Sequence, residues 1–132
     1  MSTELYYLTL TALLTAVLWI PYILALIAQI GLVTALMDTQ HEFHLDKAWA
    51  RRSQRVHTNA VENLVIFAAV VVAVELSDTN SALTAGAALI YFLSRVAHAI
   101  IYLAGVPVVR TILFFVGFVC QVLIGLAALG MA

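Results

Sequence analysis

Polar residues that could bind a charged ligand stand at the head of an apolar segment in the middle of this chain. Arg55, Asn59 and Glu62 follow one another at intervals of four and three residues, a spacing that stacks side chains on one face of a helix. The apolar run 64–74 comes directly after them. A charge at bilayer depth costs at least about 2.5 kcal/mol, so such residues usually face a bundle interior or a water-filled cavity. The spacing therefore predicts a functional polar stripe on a helix that enters a membrane.

A second polar stripe is predicted from Arg95, His98 and Tyr102, which are spaced i, i+3, i+7. Counted from the predicted ends of their helices, Glu62 and Arg95 lie roughly 12 and 13 Å deep, at a rise of about 1.5 Å per residue. Opposite charges at matched depth predict an ion pair, because pairing lowers the cost of burying each charge.

The two stripes together predict a polar pocket that extends from the depth of Glu62 and Arg95 to the membrane surface. Tyr102 and Asn59 are predicted to lie at one shallower depth, with Arg55 and Arg110 near the rim. Arginines can bind carboxylates through two parallel hydrogen bonds. Glu62 can bind an ammonium group, and Asn59 can donate to and accept from an amide. The pattern favours a small zwitterionic or anionic ligand, with lateral access for an apolar second substrate. An arginine or a tyrosine hydroxyl near a bound thiol could stabilise its reactive thiolate.

The composition predicts that the elements around these residues cross a membrane. Of the 132 residues 64% are hydrophobic and 10% are charged, whereas soluble domains carry about 25% charged residues. Four segments have the length of about 20 mostly apolar residues that a spanning helix needs, at about 5–37, 54–76, 82–104 and 108–129. Pro21 predicts a kink in the first, and Ser81 or Asn80 the N-cap of the third. The sequence predicts an all-α integral membrane four-helix bundle, a single domain over residues 1–132.

Basic residues mark one end of this bundle. They lie in or beside the loop between spans one and two and the loop between spans three and four, as Lys47, Arg51, Arg52, Arg55 and Arg110. The acidic Glu4, Glu75 and Asp78 lie at or near the opposite end. The positive-inside rule then predicts cytoplasmic basic loops, with both termini on the other side.

Other interpretations of the residues are weaker. His41 and His44, with Glu42 and Asp46, could be offered as metal ligands, but the spacing favours an ordinary interfacial loop and we predict no metal site. Cys120 is the single cysteine, which excludes an internal disulfide. No nucleic-acid signature is present.

A non-catalytic protein could use the pocket for lipid, amphiphile or subunit assembly. The lack of paired acidic residues along a full transmembrane path argues against a small transporter subunit.

Two stretches carry a resemblance to a known family. Residues 55–63 read Arg-Val-His-Thr-Asn-Ala-Val-Glu-Asn and look like the signature R-x-H/Q-x-N-x-x-E of the MAPEG family, the membrane-associated proteins in eicosanoid and glutathione metabolism. Residues 95–103, then Pro107, Arg110 and residues 114–117, are similar to that family's third and fourth spans. The microsomal glutathione transferases give the closest likeness, and the compact size and short loops resemble a prokaryotic member.

The resemblance implies a homotrimer in a bacterial inner membrane, with glutathione bound between neighbouring subunits at the cytoplasmic side. In the second helix it assigns glutathione contacts to Arg55, Asn59 and Glu62, with His57 at a neighbouring contact position. In the third helix it assigns contacts to Arg95, His98 and Tyr102. It makes Arg110 the catalytic residue that activates the thiol.

The implied reaction is thiolate attack on a hydrophobic electrophile, or reduction of a lipid hydroperoxide, with glutathione as co-substrate. Membrane lipid and a hydrophobic small molecule are the other expected partners.

The sequence departs from the family pattern in the first helix, where eukaryotic members commonly carry a basic residue near the cytoplasmic end. Segment 29–37 contains no arginine or lysine here.

Overall fold

The computed structural model describes residues 1–38, 40 and 43–132, and these residues form helices and turns without strands. The helices, in chain order, are α1 Thr3–Val17, α2 Ile20–Ile30, α3 Leu32–Met37, α4 Ala48–Ser77, α5 Ala82–Leu103 and α6 Pro107–Ala128. Four stretches of the described chain are long and apolar enough to cross a membrane: Thr3–Ile30, Ala48–Ser77, Ala82–Leu103 and Pro107–Ala128. The predicted all-α, four-span membrane fold is confirmed.

The first span is less regular than the sequence predicted. Its helical hydrogen bonding is interrupted at Leu18 and Trp19, directly before Pro21 in the first turn of α2. Proline fits that position because it has no N–H to donate and its φ suits a helix start. Gly31, with φ of 86°, separates α2 from α3, so the membrane-crossing stretch ends at Ile30 rather than Met37.

The second span begins earlier than predicted, because α4 starts at Ala48 instead of Gln54. Its first two turns carry polar residues that an apolar-run criterion leaves out. Arg51 helps to hold this start, since its Nη1 donates to the carbonyl oxygens of Leu45 and Asp46 at 2.7 and 2.8 Å.

The core of the bundle lies between α4, α5 and α6. Phe67 of α4 stacks on Tyr91 of α5 with ring centroids 3.9 Å apart, and Ile124 of α6 is fully buried beside them. Gly117 of α6 lets this helix approach α5, because a Cβ there would meet the Ser94 hydroxyl at 3.4 Å. Tight packing of α5 on α6 fixes the end of the bundle where Tyr102 and Arg110 lie.

The opposite end of the bundle is tied by short polar contacts. Ser81 is the N-cap of α5 and forms a capping box with Thr84, as one of the two predicted caps. The Thr84 hydroxyl also donates to the buried Glu4 carboxylate of α1. Ser2 donates to Glu75 at the end of α4. The chain start is thereby fixed against the turn between α4 and α5.

Candidate functional site

A groove of about 310 Å³ opens on the outer face of α4, near the α5–α6 turn. Its walls combine charged, amide, hydroxyl and aromatic groups, from Gln54, Arg55, Thr58, Asn59, Glu62 and Tyr102. Four of the eight residues predicted for the site, Arg55, Asn59, Glu62 and Tyr102, therefore lie in one groove. The helical repeat brings the α4 residues to one face, and α5 supplies the tyrosine.

Two groove residues present opposite charges to the outside. The side chains of Arg55 and Glu62 are exposed, and neither has a hydrogen-bond or ion-pair partner among the residues that the structure describes. Because the two residues are seven apart on one helix, they lie about two turns from each other, roughly 10 Å along its axis. The groove can therefore hold a ligand that carries a negative group at one end and a positive group at the other.

Asn59 joins the groove to the bundle interior. The buried Arg95, 4% exposed, donates from Nη2 to Asn59 Oδ1. The predicted ion pair between Glu62 and Arg95 is wrong, since Glu62 faces outward while Arg95 lies inside the bundle. The depth of the two charges was matched, but their directions around the helix axes differ, and an amide serves the buried guanidinium instead.

Tyr102 contacts two nitrogen-bearing side chains. The guanidinium carbon of Arg110, in the first turn of α6, is 4.6 Å from the centroid of the Tyr102 ring. The His98 ring centroid is 5.5 Å from that of Tyr102. A guanidinium over an aromatic face is attracted by the ring quadrupole, which holds Arg110 next to the groove. Its N–H donors have no hydrogen-bond partner within the described residues.

His98 does not line the groove. It is 3% exposed, and its Nδ1 has no hydrogen-bond partner in the described part of the chain. It faces a cavity of about 10 Å³ shared with Thr11, Thr15 and Arg95. His98 is therefore buried next to Tyr102 and outside the groove, and its assignment to a ligand contact stays a prediction.

His57 also points away from the groove. Its Nδ1 lies 3.0 Å from the hydroxyl oxygen of Tyr22 on α2, and the two rings are 5.7 Å apart. The contact links the second half of the first span to α4. The assignment of His57 to a ligand contact stays a prediction.

Three residues at or near the groove were not predicted as part of the site: Gln54, Thr58 and Arg52. Gln54 and Thr58 line the groove, and their spacing of eight and four residues from Glu62 could have identified them. Arg52 donates from Nε to the Leu103 carbonyl oxygen at 3.1 Å. That contact joins α4 to the end of α5, and no sequence pattern indicated it.

Only part of the alternative metal site lies within the described residues. His41 and Glu42 lie outside the described residues. His44 and Asp46 are exposed, and their backbone groups are occupied by Gln29 of α2. Within the described residues, no group of three or more His, Cys, Asp or Glu side chains could hold a metal.

Comparison with protein families gave one match that covers most of the chain. The model of the MAPEG family matches residues 5–130. The comparison with curated proteins gave no match, and neither did the comparison with solved structures. The family match includes both polar stripes and all four spans.

Proposed function

Because the chain belongs to the MAPEG family, we propose that it is a membrane-bound, glutathione-dependent transferase or peroxidase, similar to the microsomal glutathione transferases. Family membership supports a membrane protein of glutathione and eicosanoid metabolism. The observation that carries the specific proposal is the groove, in which Arg55, Asn59, Glu62 and Tyr102 lie together with Arg110 over the Tyr102 ring.

The groove offers a partner for each kind of polar group in glutathione. This tripeptide has two carboxylates, one ammonium group, two amides and a thiol. Arg55 can bind a carboxylate through two parallel N–H donors, and Glu62 can accept from the ammonium group. Gln54 and Thr58 can hydrogen-bond the amides. The thiol then belongs at the Tyr102 end, where the Arg110 N–H donors have no hydrogen-bond partner among the described residues.

The proposed chemistry begins with transfer of the thiol proton to solvent water, since the thiolate is the nucleophile. Arg110 stabilises the negative sulfur by charge. In the transferase reaction a carbon–sulfur bond forms and the leaving group departs with its electron pair. In the peroxidase reaction the sulfur attacks the O–O bond, and the alkoxide that leaves takes a proton from water to become an alcohol. A second glutathione then converts the sulfenic acid to disulfide and water. A lipid-side opening would admit either apolar substrate.

Two further features of the proposal concern assembly and orientation. An exposed groove of about 310 Å³ lies at the small end of ligand sites, so a neighbouring subunit of a homotrimer would enclose the ligand. The basic loops would face the cytoplasm of a bacterial inner membrane, which gives the groove access to glutathione. Each subunit would be a single four-span domain, with lipid around it.

Calorimetry on detergent-solubilised protein tests the proposal, together with the ultraviolet difference band of a bound thiolate. We expect saturable heat with glutathione. Arg55→Gln and Glu62→Gln should each weaken binding about tenfold, the worth of one charge-assisted hydrogen bond. Asp78→Asn is the matched control, because Asp78 is an exposed acid at the other end with φ of 53°, a conformation that asparagine tolerates.

The same measurements distinguish the enzyme from the non-catalytic alternative. Saturable heat of glutathione binding without a thiolate band would indicate a protein that binds glutathione and does not activate its thiol. Neither heat nor band would contradict the proposal and would favour a pocket for another amphiphile or for subunit assembly.

A further inference from the structure

A hollow of about 530 Å³ lies between α2, segment 43–47 and the start of α4. It shares no lining residue with the groove and is not used by the proposed reaction. Alanines form its floor, with Ala25 and Ala28 on α2 facing Ala50 on α4. Protein interiors are normally packed without such space, so the hollow exists because these facing side chains are too small to fill it.

Gln29 holds the wall of this hollow in place. Its Nε2 donates to the His44 carbonyl oxygen at 2.8 Å, and its Oε1 accepts from the Asp46 N–H at 2.9 Å. One amide therefore fixes two backbone groups of segment 43–47 against the end of α2. The hollow is bounded by a tethered segment on one side and by two helices on the other.

Two opposite charges stand at the mouth of the hollow. Asp46 and Lys47 both line it and are exposed, and within the described residues neither the carboxylate nor the ammonium group has a hydrogen-bond or ion-pair partner. Trp49 lines the same mouth, and tryptophan is enriched where headgroups meet hydrocarbon. Below them Leu24 and the alanines are apolar. The site thus combines a cation, an anion and an apolar floor at the edge of a membrane-spanning helix.

We propose that this hollow binds a phospholipid with an ethanolamine-type headgroup. Its phosphate would pair with Lys47, its primary ammonium would donate to Asp46, and an acyl chain would lie along Leu24 and Ala28. A choline headgroup has no N–H to donate to the carboxylate. A phosphoglycerol headgroup carries net negative charge without a cation for Asp46. Charge complementarity therefore selects the amine-bearing zwitterionic lipid.

Trp49 provides the readout for the test. In the Trp19→Phe variant Trp49 is the remaining indole, and its quenching by brominated acyl chains can be measured in nanodiscs of ethanolamine, choline or phosphoglycerol lipids. We expect half-maximal quenching at about a three- to fivefold lower mole fraction of the ethanolamine lipid, as one exposed ion pair is worth up to about 1 kcal/mol. Asp46→Asn should remove this preference. Lys47→Gln loses the phosphate contact that all three lipids share, so it should raise the half-maximal mole fraction of each and leave the preference in place.

The matched control uses the other tryptophan. In Trp49→Phe the reporter is Trp19, which is 44% exposed against 41% for Trp49 and lies away from the hollow, so its quenching should not depend on the headgroup. Ala28→Leu should fill the hollow and lower quenching of Trp49 by all three lipids. Headgroup-independent quenching at Trp49, an equal preference at Trp19, or loss of the preference on adding free glutathione would each overturn the proposal.

Discussion

Asn59 binds a buried residue of the bundle as well as lining the groove. Its Oδ1 accepts from the buried Arg95, which fixes the orientation of the amide. Its Nδ2 donors have no partner within the described residues. Asn59 can therefore donate to a carbonyl or carboxylate of the ligand.

Substitutions of Asn59 should separate stability from ligand binding. Asn59→Ala leaves Arg95 buried without its acceptor and should destabilise the fold by about 1.5–3 kcal/mol. Asn59→Asp supplies an acceptor of opposite charge and should retain the unfolding temperature, while it loses the donors and weakens glutathione binding. Thermal unfolding in detergent and calorimetry measure the two effects.

Thr58→Ala is the control, because Thr58 lines the same groove and is exposed. It should leave the unfolding temperature unchanged. Equal destabilisation by Asn59→Ala and Asn59→Asp would contradict the proposed dependence of Arg95 on this acceptor.

Arg110 should control the reactivity of the bound thiol. Arg110→Gln removes the positive charge beside the thiolate and should lower the rate of conjugation about a hundredfold, as loss of one transition-state donor does elsewhere. Tyr102→Phe retains the ring under the guanidinium and should keep most of the thiolate band. The band and the initial rate with an apolar electrophile measure both variants. An intact thiolate band in Arg110→Gln would assign thiol activation to another residue.

Spacing along the sequence predicted part of this site because a helix repeats regularly. It brought Arg55, Asn59 and Glu62 to one face, and the groove contains all three. It could not predict that Arg95 and His98 turn toward α1, because their direction depends on how α5 is rotated against its neighbours. Residue depth is a property of one helix, whereas a contact depends on two.

At the scale of elements, the turn between α5 and α6 positions the two residues nearest the proposed thiol. Arg52 of α4 donates to the Leu103 carbonyl oxygen, one of the groups that a helix end leaves without an intrahelical partner. Gly105 follows with φ of 79°, and a Cβ there would lie 3.7 Å from the Arg52 guanidinium. The turn thereby fixes Tyr102 before it and Arg110 after it.

Two glycine substitutions should change stability in opposite directions. Gly105→Ala places a side chain in a left-handed conformation and should destabilise the fold by about 1–2 kcal/mol. Gly86 lies inside α5, and a Cβ added there would meet no atom within 4 Å, so Gly86→Ala should stabilise by up to about 1 kcal/mol. Thermal unfolding in one detergent measures both. Changes of the same sign would contradict this explanation.

The helices themselves were largely predictable from apolar runs, and the errors have physical causes. The third and fourth spans match to within a residue at each end, at 82–103 and 107–128. The start of α4 was missed because its polar first turns continue the helix beyond the apolar run. The break before Pro21 was predicted as a kink, whereas the separation at Gly31 depends on a positive φ that composition does not reveal.

At the scale of the whole molecule, the two ends of the bundle differ in chemistry. One end carries the groove, the hollow and the basic residues. The other is closed by Ser2 with Glu75 and by Glu4 with Thr84. The alternation of four spans made this polarity predictable from the sequence. A homotrimer stays a prediction that rests on the family resemblance, because the apolar outer faces suit lipid and a neighbouring subunit equally well.

The orientation of the molecule can be tested with single cysteines, because Cys120 is the only native one and it is buried. In a Cys120→Ala background, Gln40→Cys and Ala104→Cys lie at the basic end, and Met131→Cys lies at the opposite end. All three positions are exposed. A membrane-impermeant maleimide added to spheroplasts should label Met131→Cys, and the other two should react only after the membrane is opened, because basic loops resist translocation. The reverse labelling pattern would place the groove on the side without cytoplasmic glutathione, and the proposed reaction would then have no thiol to use.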